Sequence, residues 1–166
     1  FISKGENRIG YINVELLKPI SPPFFNNKEK TISILSASSI LRTLLPERQT
    51  NKKIYLSFED FLNNLNHNNW IMSYIKWELL LIKELGFEVD ILNSTNTNSS
   101  NKNMIEINGK SFKIPSLLLK KDSFNFGKAD ICEALRFNKN LIMENFIHPN
   151  KLIFPTSRNI LEKYYN

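Results

Sequence analysis

Glu78 lies seven positions after Ile71 and seven before Leu85, in register with Tyr74, Ile75, Leu81 and Ile82. A helix through this segment therefore turns a carboxylate toward its apolar side. Burying that charge alone costs several kcal/mol, about 3–5 when a partner is missing, so a cation or several donors must meet it. Arg136 and Arg158 are the candidate partners, and the three residues are expected to supply a structural ion pair. The other chemistry open to Glu78 is that of a general acid or base, for which the sequence offers no visible second group.

A second set of residues is basic. Lys110, Lys113, Lys120, Lys121, Lys128, Arg136 and Lys139 fall within one stretch of 30 positions, numbered 110 to 139. They form one positive surface if the elements carrying them are neighbours, and such a surface binds nucleic acid through phosphates without reading sequence. Arg136 and Lys139 lie one turn apart, opposite Leu135 and Ile142. The plainer reading is a solvated helix face. Phe137, Tyr164 and Tyr165 are candidates for stacking on bases, or else for the core.

The remaining reactive side chains are few. His67 and His148 are 81 positions apart and Cys132 is the single cysteine. This set has neither metal-ligand spacing nor a Cys/His pair, and it cannot close an internal disulfide. Cys132 reads as a small core filler, and the histidines as imidazoles near helix ends. No phosphate-cradling glycine loop, Gly-x-Ser-x-Gly elbow or His-Glu-x-x-His helix is present, so neither enzymatic activity, cofactor nor metal is expected.

The elements that must position these residues follow from the patterning. With 166 residues, 42% hydrophobic, 11% aromatic and 23% charged, the chain has the composition of one folded domain, or of one domain with a fragment of another. The net charge is +6 and the pI about 9.4. Residues 1–50 carry 7 basic and 4 acidic side chains, 51–100 carry 4 and 6, and 101–166 carry 11 and 6, so the basic character sits in the last third. No apolar run approaches the roughly 18 residues of a membrane span and no signal peptide is legible, so a cytoplasmic protein without membrane contact is expected. The chain starts at Phe1, as the back part of a longer protein or a processed one would.

Ile12, Val14 and Leu16 alternate with less apolar neighbours and predict a strand, and Pro19, Pro22 and Pro23 predict a linker and domain boundary. From Lys28 the period becomes helical through Ile34, Ala37, Leu41 and Leu44, with Asn26 or Asn27 as N-cap and Pro46 as stop. Ser36 to Ser39 are small enough to let another helix approach closely. A second helix carries Ile54, Phe58, Phe61, Leu62 and Leu65, and a third runs past Glu78 to Gly86. Asn93 to Asn103 predicts a solvated loop, and Ile105 to Ile114 a hairpin around Asn108-Gly109. A fourth helix holds Asp130 near its start and turns Ile131, Leu135, Ile142 and Phe146 inward, with Pro149 beyond its end. A fifth starts near Pro155 and Thr156.

The order of these signals resembles a known family. The strand Arg8 to Lys18, Leu44-Leu45-Pro46-Glu47-Arg48, Tyr74-Ile75-Lys76-Trp77-Glu78-Leu79 leading to Leu85-Gly86-Phe87, Ala134-Leu135-Arg136 and Pro155-Thr156-Ser157-Arg158 are similar to the bacterial DNA repair protein RecO family, particularly its alphaproteobacterial branch. The resemblance implies a cytoplasmic, non-enzymatic recombination mediator with an N-terminal OB-fold and a C-terminal helical domain. It implies binding of single- and double-stranded DNA, annealing of complementary strands, RecA loading together with RecR, and contact with the acidic tail of single-strand-binding protein. Many members carry a four-cysteine zinc element after the Leu-Gly-Phe segment; Asn93 to Ile114 has no cysteine, so zinc is not expected. Glu78 and Arg136 sit where the family pattern has the same residue types, which suits a charged framework.

The expected fold class is therefore α+β, a helical bundle with a small β-hairpin insert, preceded by the last strands of an OB-fold barrel. Residues 1–22 would be the barrel's remnant and 26–166 the helical domain, with 93–115 as loop and hairpin insert. Two functions remain open: a DNA-binding mediator, and an interaction scaffold that receives the acidic tail of single-strand-binding protein without touching DNA.

Overall fold

The computed structural model describes residues 15–16, 19–87, 104–119 and 126–166. The strand expected over Arg8 to Lys18 falls almost wholly outside the described residues, as do the loop from Asn93 to Asn103 and the pair Lys120 and Lys121. The described part is α+β, mainly helical, with one two-stranded antiparallel sheet.

A short 3₁₀ turn, Pro22–Phe24, buries Phe24 and leads into α1, Lys28–Leu44. Asn27 is the N-cap: its side chain accepts the N–H of Lys30 at 3.0 Å, an interaction that contributes about 0.5–2 kcal/mol. At the other end Leu45 is extended, as the residue before a proline must be. The buried face of α1 is built from Ser33, Ser36, Ala37 and Ile40. α7, Thr156–Lys163, packs along α1, close enough for the Ser157 hydroxyl to reach the Leu35 carbonyl at 3.5 Å. Small residues allow that approach.

α2, Lys52–Asn64, packs on α3, Trp70–Glu84, through an aromatic cluster. Phe61 meets the edge of Tyr74 at 5.5 Å between ring centres and lies 5.9 Å from Trp77, with Phe58 5.8 Å from the same indole. α3 ends in a Schellman turn: Gly86, at φ +97°, donates to the Lys83 carbonyl and Phe87 to that of Ile82. Only glycine adopts that backbone without cost.

Strands β1, Met104–Ile107, and β2, Lys110–Lys113, pair Ile105 with Phe112 and Ile107 with Lys110. Asn108 and Gly109 both have positive φ, +50° and +76°, the two left-handed residues of a type I′ turn. Ile105, Ile107 and Phe112 pack on the core, so the hairpin is held by packing, and a single helical turn, α4, Ser116–Leu119, follows it with Leu117 buried. α5, Lys128–Ile142, starts where the Asp130 carboxylate accepts the N–H of Gly127 at 3.0 Å.

Beyond Ile142 the structure departs from the sequence reading. The helical path widens into a π turn, Met143–Ile147, and continues through α6, His148–Asn150, so that Pro149 lies inside this last turn and not past the helix end. Pro149 is the second residue of this last turn, where its ring fixes a helical φ. The wide turn keeps Asn145, Phe146 and Ile147 on the core side.

Candidate nucleic-acid interface

The described cations that were expected to form one positive surface are placed by β2 and α5, and acids from α5, the π turn and α7 are interleaved among them. Lys110 Nζ lies 2.7 Å from Glu144 Oε1, and Lys113 Nζ 3.4 Å from Glu133 Oε1. Arg136 Nε is 3.4 Å from Glu162 Oε1 and its guanidinium also donates to Asn166 Oδ1. Lys139 Nζ is 3.7 Å from Glu162 Oε2 and sits over the Phe154 ring. Lys128, at the exposed start of α5, makes no ion pair with any described residue.

A continuous positive face is thus not what the described residues present: Glu133, Glu144 and Glu162 divide it. The pairs are weak obstacles all the same. Lys110, Lys113 and Arg136 keep more than half of their side-chain surface in solvent, and exposed pairs of this kind are worth about 0–1 kcal/mol, so a phosphate can compete for them. Glu144 is the focus of the hairpin contacts. Its carboxyl is held below the usual carboxylate range by the hydrogen bond from Lys110, with His148 Nδ1 at 3.4 Å adding to the effect, and its backbone carbonyl accepts from Asn108 at 3.0 Å.

The aromatic side chains considered for stacking are mostly committed elsewhere. Phe137 is buried in the core, and Tyr165 is buried with its hydroxyl donating to Glu29 Oε2 at 3.2 Å; Tyr164 is half-buried. Cys132 is buried as well. His67 stands exposed beyond α2, and no group of three metal-ligating side chains occurs among the described residues.

Glu78 sits at the centre of a buried polar network, with both it and Arg158 at zero exposure. Arg158 Nε donates to Oε1 at 2.5 Å and Nη2 to Oε2 at 3.2 Å, while Nη2 also reaches the Leu135 carbonyl at 2.6 Å. Tyr74 donates to Oε1 at 2.9 Å, and Asn138 Nδ2 donates to Oε2 at 3.1 Å and to the Ile75 carbonyl at 3.0 Å. Because the single phenolic proton goes to Glu78, Ser36 must be the donor in its 2.7 Å bond with Tyr74.

Burial pushes the Tyr74 phenol well above its ordinary pKa, and the Glu78 charge pushes it the same way. For Arg158, burial works against the charge, but Glu78 outweighs it and holds the guanidinium above its ordinary value. Of the two arginines named as partners for Glu78, Arg158 makes the contact; Arg136 does not belong to this ion pair and lies on the exterior with Glu162. The reason is geometric. Arg136 is off the α5 stripe formed by Ile131, Ala134, Leu135, Asn138, Leu141 and Ile142, whereas Arg158 and Leu161 share the buried stripe of α7, and Tyr165, just past its end, is buried with them.

Two features escaped the sequence reading. Asn138 could have been found by the signal that exposed Glu78: a polar residue on an apolar stripe, one turn from Leu135 and Leu141. The other is a groove between the end of α1 and the start of α2, lined in part by Leu41, Leu45, Ile54 and Phe58, for which no motif gives a signal.

Comparison with known proteins defines the class to which this helical domain belongs. Residues 27–143 match the family model described as Recombination protein O C terminal, and the chain belongs to that family. It is similar to the DNA repair protein RecO of Wolbachia pipientis subsp. Culex pipiens (strain wPip), 36% identical over 91 residues that cover 54% of this chain and 38% of the relative. It is similar to that of Ehrlichia chaffeensis (strain ATCC CRL-10679 / Arkansas), 32% identical over 112 residues covering 66% and 46%. With the protein of the same name from Rickettsia peacockii (strain Rustic), the identity is 34% over 83 residues, covering 50% and 35%. The matched stretch thus spans less than half the length of each of these relatives. No solved structure matches. Among the described residues no helix is long and apolar enough to cross a membrane.

Proposed function

We propose that this chain is the helical part of a non-catalytic mediator of DNA repair and homologous recombination in the cytoplasm. In this reading it binds single- and double-stranded DNA, assists annealing of complementary strands, and works with RecR in loading RecA. Residues 1–22 are read as the end of an OB-fold and residues 26–166 as the helical domain. The observation that carries the reading is the family match over 27–143, joined to relatives named for DNA repair. The excess of six positive charges supports a phosphate-bearing ligand. The DNA-contacting residues proposed are Lys110, Lys113, Lys120, Lys121, Lys128, Arg136 and Lys139.

One observation favours a second reading, in which the domain is a scaffold for the acidic tail of single-strand-binding protein. Four of the five described cations of the proposed DNA surface already hold a carboxylate within 4.0 Å: Lys110, Lys113, Arg136 and Lys139. Reversing the charge of Lys120 and Lys121 together separates the two. The mediator reading expects both single-strand and duplex affinity to fall, and unchanged affinity for both would leave the scaffold.

A further inference from the structure

We propose that the groove between the end of α1 and the start of α2 is a slot for one unstacked base of single-stranded nucleic acid, an inference that rests on the DNA-binding reading above. The groove has a volume of about 240 Å³. That is below the roughly 300–1,000 Å³ of sites for drug-sized ligands and suits a single ring system. Its apolar wall is Leu41, Leu45, Ile54 and Phe58.

Three further lining residues give the slot its chemistry. Tyr55 is 60% exposed, and its hydroxyl donates to Glu59 Oε1 at 3.0 Å, so the ring is held in place on the open side of the groove. An exposed, fixed aromatic face is what a base stacks on. Gln49 and Asn51 bring two carboxamides, each with donors and an acceptor side by side, the pattern that pairs with the edge of a base. Asn51 stands at the N-cap position of α2, yet its side chain makes no capping bond, so the amide is uncommitted.

The charge next to the lining residues in the chain is net positive and suits a phosphate backbone. Arg42 adjoins Leu41 in the chain, Arg48 adjoins Gln49 and Lys52 adjoins Asn51; all three cations are exposed, and none makes an ion pair with a described residue. Against them stand Glu47, next to Pro46, and Glu59, which already accepts from Tyr55. Lys53 is paired with Glu84 at 3.4 Å. Arg48 is held at φ +61°, a conformation L-residues seldom adopt, which is often seen where a loop is set for a ligand.

The test uses the full chain with a fluorescein-labelled oligothymidine and a labelled duplex, read by fluorescence anisotropy at low salt. Tyr55→Ala is expected to weaken single-strand binding by about 5- to 150-fold, the range for losing one base stack, and to leave duplex affinity unchanged. Tyr55→Phe is expected to restore most of it, because the ring and not the hydroxyl makes the stack. The paired change Gln49→Ala with Asn51→Ala is expected to cost about fivefold or more for single strands. Unaltered single-strand affinity in Tyr55→Ala overturns the slot while leaving the DNA-binding reading intact. Loss only with Arg48→Glu and Lys52→Glu also overturns it, since phosphate contact would then be sufficient. A parent chain that binds no oligonucleotide overturns both. If a labelled acidic peptide ending in phenylalanine is held in a Tyr55-dependent way and the oligonucleotide is not, the groove belongs to a protein partner and the slot is wrong.

Discussion

Arg158 of α7 reaches across to Glu78 of α3, 80 positions earlier in the chain, and the two side chains meet with Nε 2.5 Å from Oε1 and no solvent exposure on either. Around them Ser36, Tyr74 and Asn138 complete a network that draws on α1, α3, α5 and α7. The last helix is thereby fixed to the centre of the bundle by a charge.

Breaking that pair from one side leaves an uncompensated buried charge. Glu78→Gln is expected to destabilise the domain by about 3–5 kcal/mol, and Arg158→Met by a similar amount. Replacing both with apolar residues, Glu78→Leu with Arg158→Met, is expected to recover much of the loss. Denaturant unfolding of the parent, Glu78→Leu, Arg158→Met and the double variant closes a double-mutant cycle that measures the coupling, and an unchanged midpoint in Glu78→Gln would contradict the pairing.

Tyr74 links stability to alkaline pH. Its folded-state pKa lies above the unfolded value near 10, so the folded form holds the phenolic proton that the unfolded chain gives up. The stability from this group is fully present below about pH 10 and is lost as pH rises from there through the folded value. Tyr165 is shifted in the same direction and adds to the slope. Tyr74→Phe is expected to flatten the loss above pH 10 and to cost about 1–3 kcal/mol at neutral pH, since Ser36 and Glu78 each lose a partner. A pH series of thermal melts on both proteins reads the two effects.

The hairpin turn makes a local demand. Gly109 sits at φ +76° with open space where a Cβ would go, so Gly109→Ala meets no clash and pays only for its backbone. A cost of about 1–2 kcal/mol is expected, the usual penalty for an L-residue in the left-handed region. Hydrogen exchange of the β1 and β2 amides is expected to quicken before the helices respond, and uniform exchange across the domain would contradict separate opening of the hairpin.

Much of the helical frame was legible because its signals are local. Asn27, Pro46, Gly86 and Asn108-Gly109 each fix a terminus or turn through their own backbone preferences, and the structure places each where the chain requires it. The π turn over Met143 to Ile147 was not read from the sequence; Phe146 and Ile147 within it are buried in the core. Glu78 announced a buried charge, but choosing Arg158 over Arg136 depended on which helix face turns inward. The buried set of Arg158, Leu161 and Tyr165 held that answer; it is short, and one of its three members is charged. Acids such as Glu162 spoil a positive face only after α5 and α7 pack together, a fact of tertiary structure that counting charges along the chain does not contain.

The salt dependence of single-stranded DNA binding by this chain tests the DNA-binding reading most directly. With a labelled oligonucleotide titrated across a range of salt, the logarithm of the association constant is expected to fall linearly with the logarithm of salt concentration. A slope of about −0.7 per contacted phosphate, summed over several contacts, is the expected result. Binding that is absent at low salt, or present but flat with salt, would contradict a DNA surface on the helical domain and leave partner recognition as its role.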